Sequence, residues 1–396
     1  MTYFLVGDFC FMKKIFIVFI IVICFFVPGS VMALGNDDIL LKGAVSGLLM
    51  EESTGTIIFE KEMHKEVAVA SMTKMVAQII ILENIENGNI SWGDIVTVSR
   101  NASDMGGSQI YLSSNEKMSV KDLFKGISMA SANDATVAMA EYISGSEEKF
   151  VKLMNKKVRD LGLKNTVFKN CTGLDEDGHY SSAYDMAIIA RELLSHKEIY
   201  NYSSVYEDYL RVDTPNKFWL VNTNKLVRLY DGADGLKTGH TDNAKYCLAA
   251  TAKKNGMRLI AIVLGEDNAN TRNDEAMSLL DYGFDNKSVK TLKTSNDVLG
   301  DIYFEKANFE KVSVYPKRDI NILQDKGVNF KDYKTKLKIN DISLPLKKGD
   351  IVGKIDVMDG KNIIFSQDVV INENIYKLNY FQLLLNSIKR LVSGDI

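Results

Sequence analysis

The 396-residue sequence predicts an α+β fold followed by a small all-β region, and three observations carry that reading. Paired strand signals stand near the start and the middle of the chain, over residues 44–62 and 244–265. Between them runs a long stretch of helical periodicity. Strands and helices therefore come in blocks, without the strict βαβ alternation of a parallel sheet. From about Thr291 the texture changes to short alternating segments between Lys-, Asp- and Gly-containing turns, which reads as all-β.

Taken in order, the chain opens on "MKKIFIVFIIVICFFVPGSVMA", two lysines and an apolar run from Ile15 to Val27 before Pro28, Gly29 and a small-residue ending at Ala33. That is the layout of a secretory signal peptide over residues 1–33, initiating at Met12 and cleaved after Ala33. The run is short for a membrane-spanning helix, which needs roughly 20 residues. The segment "AVSGLLMEESTGTIIFEKE" predicts two strands joined at a Ser-Thr-Gly turn. A helix follows from about Ser71 to Asn84, with Met72, Met75, Val76, Ile79, Ile80 and Leu82 as its apolar face and Asn87-Gly88 as its stop.

Helical runs then alternate with turn-rich connections as far as about Glu198, among them "VKDLFKGISMASANDATVAMAEYI", "EEKFVKLMNKKVRDLGL" and "AYDMAIIARELLSH". "AKYCLAATAKKNGMRLIAIVLG" predicts a hairpin turning at Asn255-Gly256, with the helix "NDEAMSLLDYGF" after it. Strands are expected in "FEKVSVYP", "KTKLKI", "DIVGKIDVMDG" and "NIIFSQDVVI". Last, residues 376–392 place Phe381, Leu384, Leu385, Ile388, Leu391 and Val392 on one helical face, with Lys377, Lys389 and Arg390 elsewhere. An amphipathic basic helix of this kind points to attachment at a membrane surface; packing on its own domain is the alternative.

Composition narrows the function. A net charge of −3 and the lack of a basic run set nucleic-acid binding aside. The sequence has no CxxC, HExxH or clustered His/Cys spacing, so no metal and no cofactor is expected. Cys171 and Cys247 read as two separate small buried residues, and His64, His179 and His196 as surface or loop residues. There is no GxSxG elbow for a Ser-His-Asp hydrolase.

The chemistry begins at Ser71 and Lys74. Ser-x-x-Lys occurs three times, but Ser114/Lys117 and Ser146/Lys149 lie in charged stretches where water keeps the lysine protonated. Only the Ser71 copy opens an apolar helix, where i,i+3 spacing puts hydroxyl and amine on one face. Burial and a nearby positive charge would lower the Lys74 pKa and let the amine take the serine's proton. The backbone N–H of Ser71, at a helix N-terminus, can help bind an oxyanion. Further along, Ser131 and Asn133 open another apolar helical run, and Lys237-Thr238-Gly239 leads into the hairpin strand. Gly239 lets a ligand lie close to the strand edge, Thr238 can donate to a carboxylate, and Lys237 adds positive charge for it.

Ser-x-x-Lys, Ser-x-Asn and Lys-Thr-Gly in this order, 60 and 106 residues apart, resemble the three motifs of penicillin-binding proteins and serine β-lactamases. The stretches "MGGSQIYL", "HYSSAYDMAIIAREL", "DGLKTGHT" and "GMRLIAIVLG" resemble one branch, the D-alanyl-D-alanine carboxypeptidases, over roughly residues 40–290. The resemblance implies a β-lactamase/transpeptidase-like catalytic domain over 38–290, an antiparallel sheet flanked by helices with a helical subdomain. A β-rich domain over 291–373 and the amphipathic helix 376–392 complete the implied layout.

It further implies a serine peptidase of the outer face of the cytoplasmic membrane that trims D-alanine from peptidoglycan stem pentapeptides and is inhibited by β-lactams. Ser71 would be the nucleophile and Lys74 its base. Ser131 would relay the proton, Asn133 would position the substrate, and Lys237 and Thr238 would hold its carboxylate. The N–H groups of Ser71 and His240 would form the oxyanion hole. Two residues depart from the pattern: Val69 stands where the family usually has proline, and Thr223 where some members carry an arginine. A DD-endopeptidase acting on cross-links uses the same residues and remains open; a serine β-lactamase and a non-catalytic penicillin-binding scaffold are the more distant alternatives.

Overall fold

The computed structural model of the protein describes residues 40–329 and 333–385. The expected leader and residues 386–392 of the amphipathic segment lie outside the described residues. The architecture that follows is that of the unit from Leu41 onward.

Five antiparallel strands make the central sheet: β1 (Ser46–Glu51), β2 (Ile57–Lys61), β3 (Ala233–Thr241), β4 (Lys245–Lys254) and β5 (Met257–Glu266), in the order β2-β1-β5-β4-β3. Both hairpins expected from the sequence form. The turn between β4 and β5 puts Asn255 at φ 51° and Gly256 at φ 81°, the pair of positive angles that a two-residue Asn-Gly hairpin requires. The sheet closes by pairing β1 with β5, Met50 opposite Ile260, so the two ends of the region meet in one layer. Alternation then divides the side chains: Leu48, Met50, Ile260 and Ile262 enter the main core. Their neighbours Leu49 and Leu259 meet Gly283 on a long helix behind the sheet.

Among the described residues, six helices of eleven or more residues surround this layer: α1 (Lys74–Glu86), α2 (Val120–Ala130), α3 (Asn133–Ser144), α4 (Glu147–Asp160), α5 (Ala183–Leu193) and α6 (Ala269–Asn286). Side-chain N-caps start α2 at Ser119, α4 at Ser146, α5 at Ser182 and α6 at Asn268. The single apolar face expected of α1 is an understatement. Every residue from Lys74 to Leu82 is buried, because α2, α3, α4 and α5 pack around the helix. The run 120–143 is two helices, broken where Ser131 turns to φ 61°.

Beyond α6, β6 (Gly300–Tyr303), β7 (Lys311–Pro316), β8 (Lys334–Ile339), β9 (Ile351–Asp359) and β10 (Asn362–Ile371) form a second sheet in the order β6-β7-β10-β9-β8. Val312, Val314, Ile355, Val357, Val369 and Ile371 make its core. The pair Lys287–Lys293 with Ile320–Asp325 was not foreseen, and its first strand runs across the expected boundary at residue 290. At the end, Asn379 and Gln382 exchange side-chain-to-backbone hydrogen bonds of 2.9 and 3.0 Å, a reciprocal cap that starts a helix at Tyr380. Phe381, Leu384 and Leu385 on it are exposed.

Candidate active site

Ser71 sits in a 3-10 turn, Ala70–Thr73, directly ahead of α1. The turn is held against β3 by close backbone approach: a Cβ on Gly239 would lie 2.6 Å from the Val69 carbonyl oxygen. Val69 has φ −121°, well away from the −65° that proline would impose, so the backbone here differs from the one a proline would set. One turn on, the wholly buried Lys74 places Nζ 2.7 Å from Ser71 Oγ and donates to the Thr172 carbonyl at 2.6 Å. Burial pushes the Lys74 amine down to about 7, against the opposing pull of Cys171 and Asp134. A neutral amine at that distance has a lone pair ready for the serine proton.

The break between α2 and α3 supplies the second group. Ser131, in its left-handed conformation, accepts a hydrogen bond from Lys237 Nζ at 2.8 Å. Lys237 lies on the edge strand β3 and is itself buried; burial, then the charges of Lys74 and Arg272, drive its pKa well down. Asn133 donates from Nδ2 to the Gly106 carbonyl at 2.7 Å, which leaves its buried Oδ1 without a partner. Thr238 donates to Thr223 Oγ1 at 2.8 Å, so the position that lacks an arginine carries a second hydroxyl beside the first. His240 is exposed at the end of the same strand, its ring 4.1 Å from that of Tyr246.

The expected residues thus gather from three places: the 3-10 turn, the helix break and the sheet edge. The other two Ser-x-x-Lys copies do not join them. Lys117 and Lys149 are exposed, and Ser146 serves as the N-cap of α4.

Sequence reasoning missed the supports. Gly173, at φ 81°, presses against the nucleophile turn so tightly that a Cβ would lie 2.0 Å from the Ala70 oxygen. Asp134 accepts from the amides of Ile110 and Leu112 and fastens the 106–112 loop beside Asn133. His179 lies in a loop, as expected, but is buried there, with Nε2 2.8 Å from Thr73 Oγ1 and Nδ1 accepting from the Lys169 amide. Burial holds it near 4, so the ring is neutral and Nε2 donates to the threonine. His196 is buried too, bonded to Glu86, whereas His64 is exposed as expected. Cys171 and Cys247 are buried and unpaired. A cation could be held by Glu83, Glu192 and His196, but Lys157 Nζ already bridges the two carboxylates at 2.5 and 2.9 Å.

Comparison with known proteins identifies relatives of the chain. Residues 38–268 match the family described as D-alanyl-D-alanine carboxypeptidase, and residues 288–377 match the penicillin-binding protein 5 C-terminal domain. The chain is 45% identical to the D-alanyl-D-alanine carboxypeptidase DacF of Bacillus subtilis (strain 168), over 86% of this chain and 88% of that one. Penicillin binding protein 5 of Haemophilus influenzae superposes with a TM-score of 0.67 at 31% identity, covering 85% of this chain and 98% of its own. Penicillin-binding protein D2 of Listeria monocytogenes, solved in an ampicillin-bound form, superposes with a TM-score of 0.55 at 30% identity, covering 61% and 97%.

Proposed function

Because the chain belongs to the D-alanyl-D-alanine carboxypeptidase family, we propose that it removes the terminal D-alanine from peptidoglycan stem pentapeptides through an acyl-enzyme on Ser71. The observation that carries this reading is the contact between the buried amine of Lys74 and Ser71 Oγ at 2.7 Å. Neutral Lys74 takes the hydroxyl proton as Ser71 Oγ attacks the carbonyl carbon between the last two D-alanines. Negative charge on the carbonyl oxygen is received by the N–H groups of Ser71 and His240, which belong to the turn and strand that meet at Gly239. When the C–N bond breaks, the leaving amine takes a proton through Ser131, which lies 2.8 Å from Lys237 Nζ. Water then cleaves the ester and frees Ser71.

Substrate orientation falls to the remaining groups. The free C-terminal carboxylate lies against Lys237 and Thr238, and its charge draws a proton onto Lys237 that burial otherwise discourages. That charge in turn favours the neutral form of Lys74. The partnerless Oδ1 of Asn133 accepts from a backbone N–H of the substrate. Penicillins enter by the same route and stop at the acyl-enzyme.

The leader-like residues 12–33 and the exposed apolar side chains of the final helix support action outside the cytoplasmic membrane with attachment at its surface. The test of the activity is D-alanine release from a peptide ending in D-Ala-D-Ala by residues 34–373, beside Ser71→Ala. Release by the parent alone establishes carboxypeptidase and nucleophile together; release by neither, with penicillin labelling intact, refutes the carboxypeptidase reading.

A further inference from the structure

We propose that the cleft between the central sheet and the β-rich region is a binding site for a phosphate-bearing anion. The cleft has a volume of about 720 Å³ and is lined by five cationic side chains, Lys197, Lys253, Arg258, Lys317 and Arg318, against three carboxylates. Those carboxylates are in part already committed. Glu51 accepts from the amides and hydroxyls of both Ser53 and Thr54, and Asp319 accepts from the Ser295 amide. Arg258 pairs with Asp234 at 2.6 Å. Among the described residues, Lys197, Lys253, Lys317 and Arg318 form no ion pair.

The cations also stand against one another. Lys253 and Arg258 are directly opposite across β4 and β5, a like-charge pair that costs stability in a sheet. Lys317 and Arg318 are consecutive, and Arg318 is close enough to the half-buried Arg191 for the two charges to oppose each other, offset in part by Glu51, Glu52 and Glu192. Arg191 cannot turn away, because its guanidinium donates to the carbonyls of Glu52 and Ser53. Repulsion gathered from four chain segments into one concave space is relieved by an anion that several of them share. A phosphate offers oxygens in several directions, and guanidinium forks match its geometry. The cleft is separate from Ser71: Lys253 lies five residues along β4 from Leu248, the partner of Thr238, roughly 17 Å at strand spacing.

The site is tested by calorimetric titration of the full chain with sodium triphosphate at constant ionic strength, beside Arg318→Gln and Lys253→Gln. The parent is expected to bind saturably. Each variant should bind at least about tenfold more weakly, the loss that follows from removing one charge-assisted hydrogen bond. The rate of penicillin acylation should stay at the parent's value, and the ligand-free unfolding midpoint should hold or rise, because each substitution removes a repulsion. A second arm measures retention on vesicles of phosphatidylglycerol and of phosphatidylcholine. Retention on the former alone that Arg318→Gln removes assigns the phosphate to a lipid headgroup. Retention indifferent to the substitution, with triphosphate binding intact, assigns it to a phosphate away from the bilayer. No saturable heat with the parent, or equal affinity in all three proteins, overturns the proposal.

Discussion

Replacing Gly173 by alanine tests whether the nucleophile turn is positioned from behind. The added Cβ would sit 2.0 Å from the Ala70 oxygen, 2.4 Å from its carbon and 3.0 Å from the Ser71 nitrogen. These are backbone atoms, so no side-chain rotation relieves the contact. Ordinary separations begin above 3 Å, so the turn must retreat by about 1 Å, and the Ser71 N–H moves with it. A displacement of about 1 Å at a reacting group costs about 100-fold in rate, or about 2.7 kcal/mol of activation free energy. The φ of 81° adds about 1–2 kcal/mol of folding cost for a residue with a side chain. The assay is the second-order rate of Ser71 acylation by a fluorescent penicillin, with the thermal midpoint measured on the same sample. A folded Gly173→Ala protein that acylates within threefold of the parent would refute the positioning argument.

Lys74, held near 7 by burial, should give penicillin acylation an acid limb, with the rate rising through about pH 7 and falling about tenfold per unit below it. Lys74→Arg should abolish acylation at every pH, since guanidinium cannot act as a base; labelling at the parent's rate would remove Lys74 from the chemistry. Glu266 is raised to about 7, first by burial and then by its neighbour Glu275, so the folded state keeps a proton that the unfolded chain releases near 4.5. Its stabilisation is complete below 4.5 and is lost as pH rises through 7; Glu266→Gln should flatten that decline in urea-unfolding free energy, and an unchanged slope would disprove it. Deleting residues 376–396 should move the protein from the membrane to the soluble fraction, and a truncated form that still pellets would exclude the terminal helix as the anchor.

Much of the fold was legible because the local rules agree. Asn255-Gly256 can hardly be read as anything but a hairpin turn, and "KTKLKI" and "NIIFSQDVVI" become strands over those same residues. The short strand Gly300–Tyr303 was not legible, since four residues with one intermediate side chain in two carry no clear pattern. The helix α1 was only partly legible for a different reason: one apolar face was visible, while the burial of Gln78 and of the whole stretch from Lys74 to Leu82 comes from four other helices packing around it.

What the sequence determined by itself was the set of reactive groups: Ser71 and Lys74 on adjacent turns of one helix start, Ser131 with Asn133, and the run Lys237-Thr238-Gly239. Spacing along one helix fixes direction, so the first pair meets whatever the rest of the chain does. Only the tertiary structure decided what surrounds them. The Thr172 carbonyl that binds Lys74 lies 98 residues away, and the Ser131 hydroxyl that meets Lys237 lies 106 residues from it. The first is made to a backbone carbonyl, which leaves no residue-type signature in the chain; the second joins two side chains visible in the sequence whose meeting only the packed fold decides. Burial sets the Lys74 amine near neutrality, and burial belongs to the packed molecule as a whole.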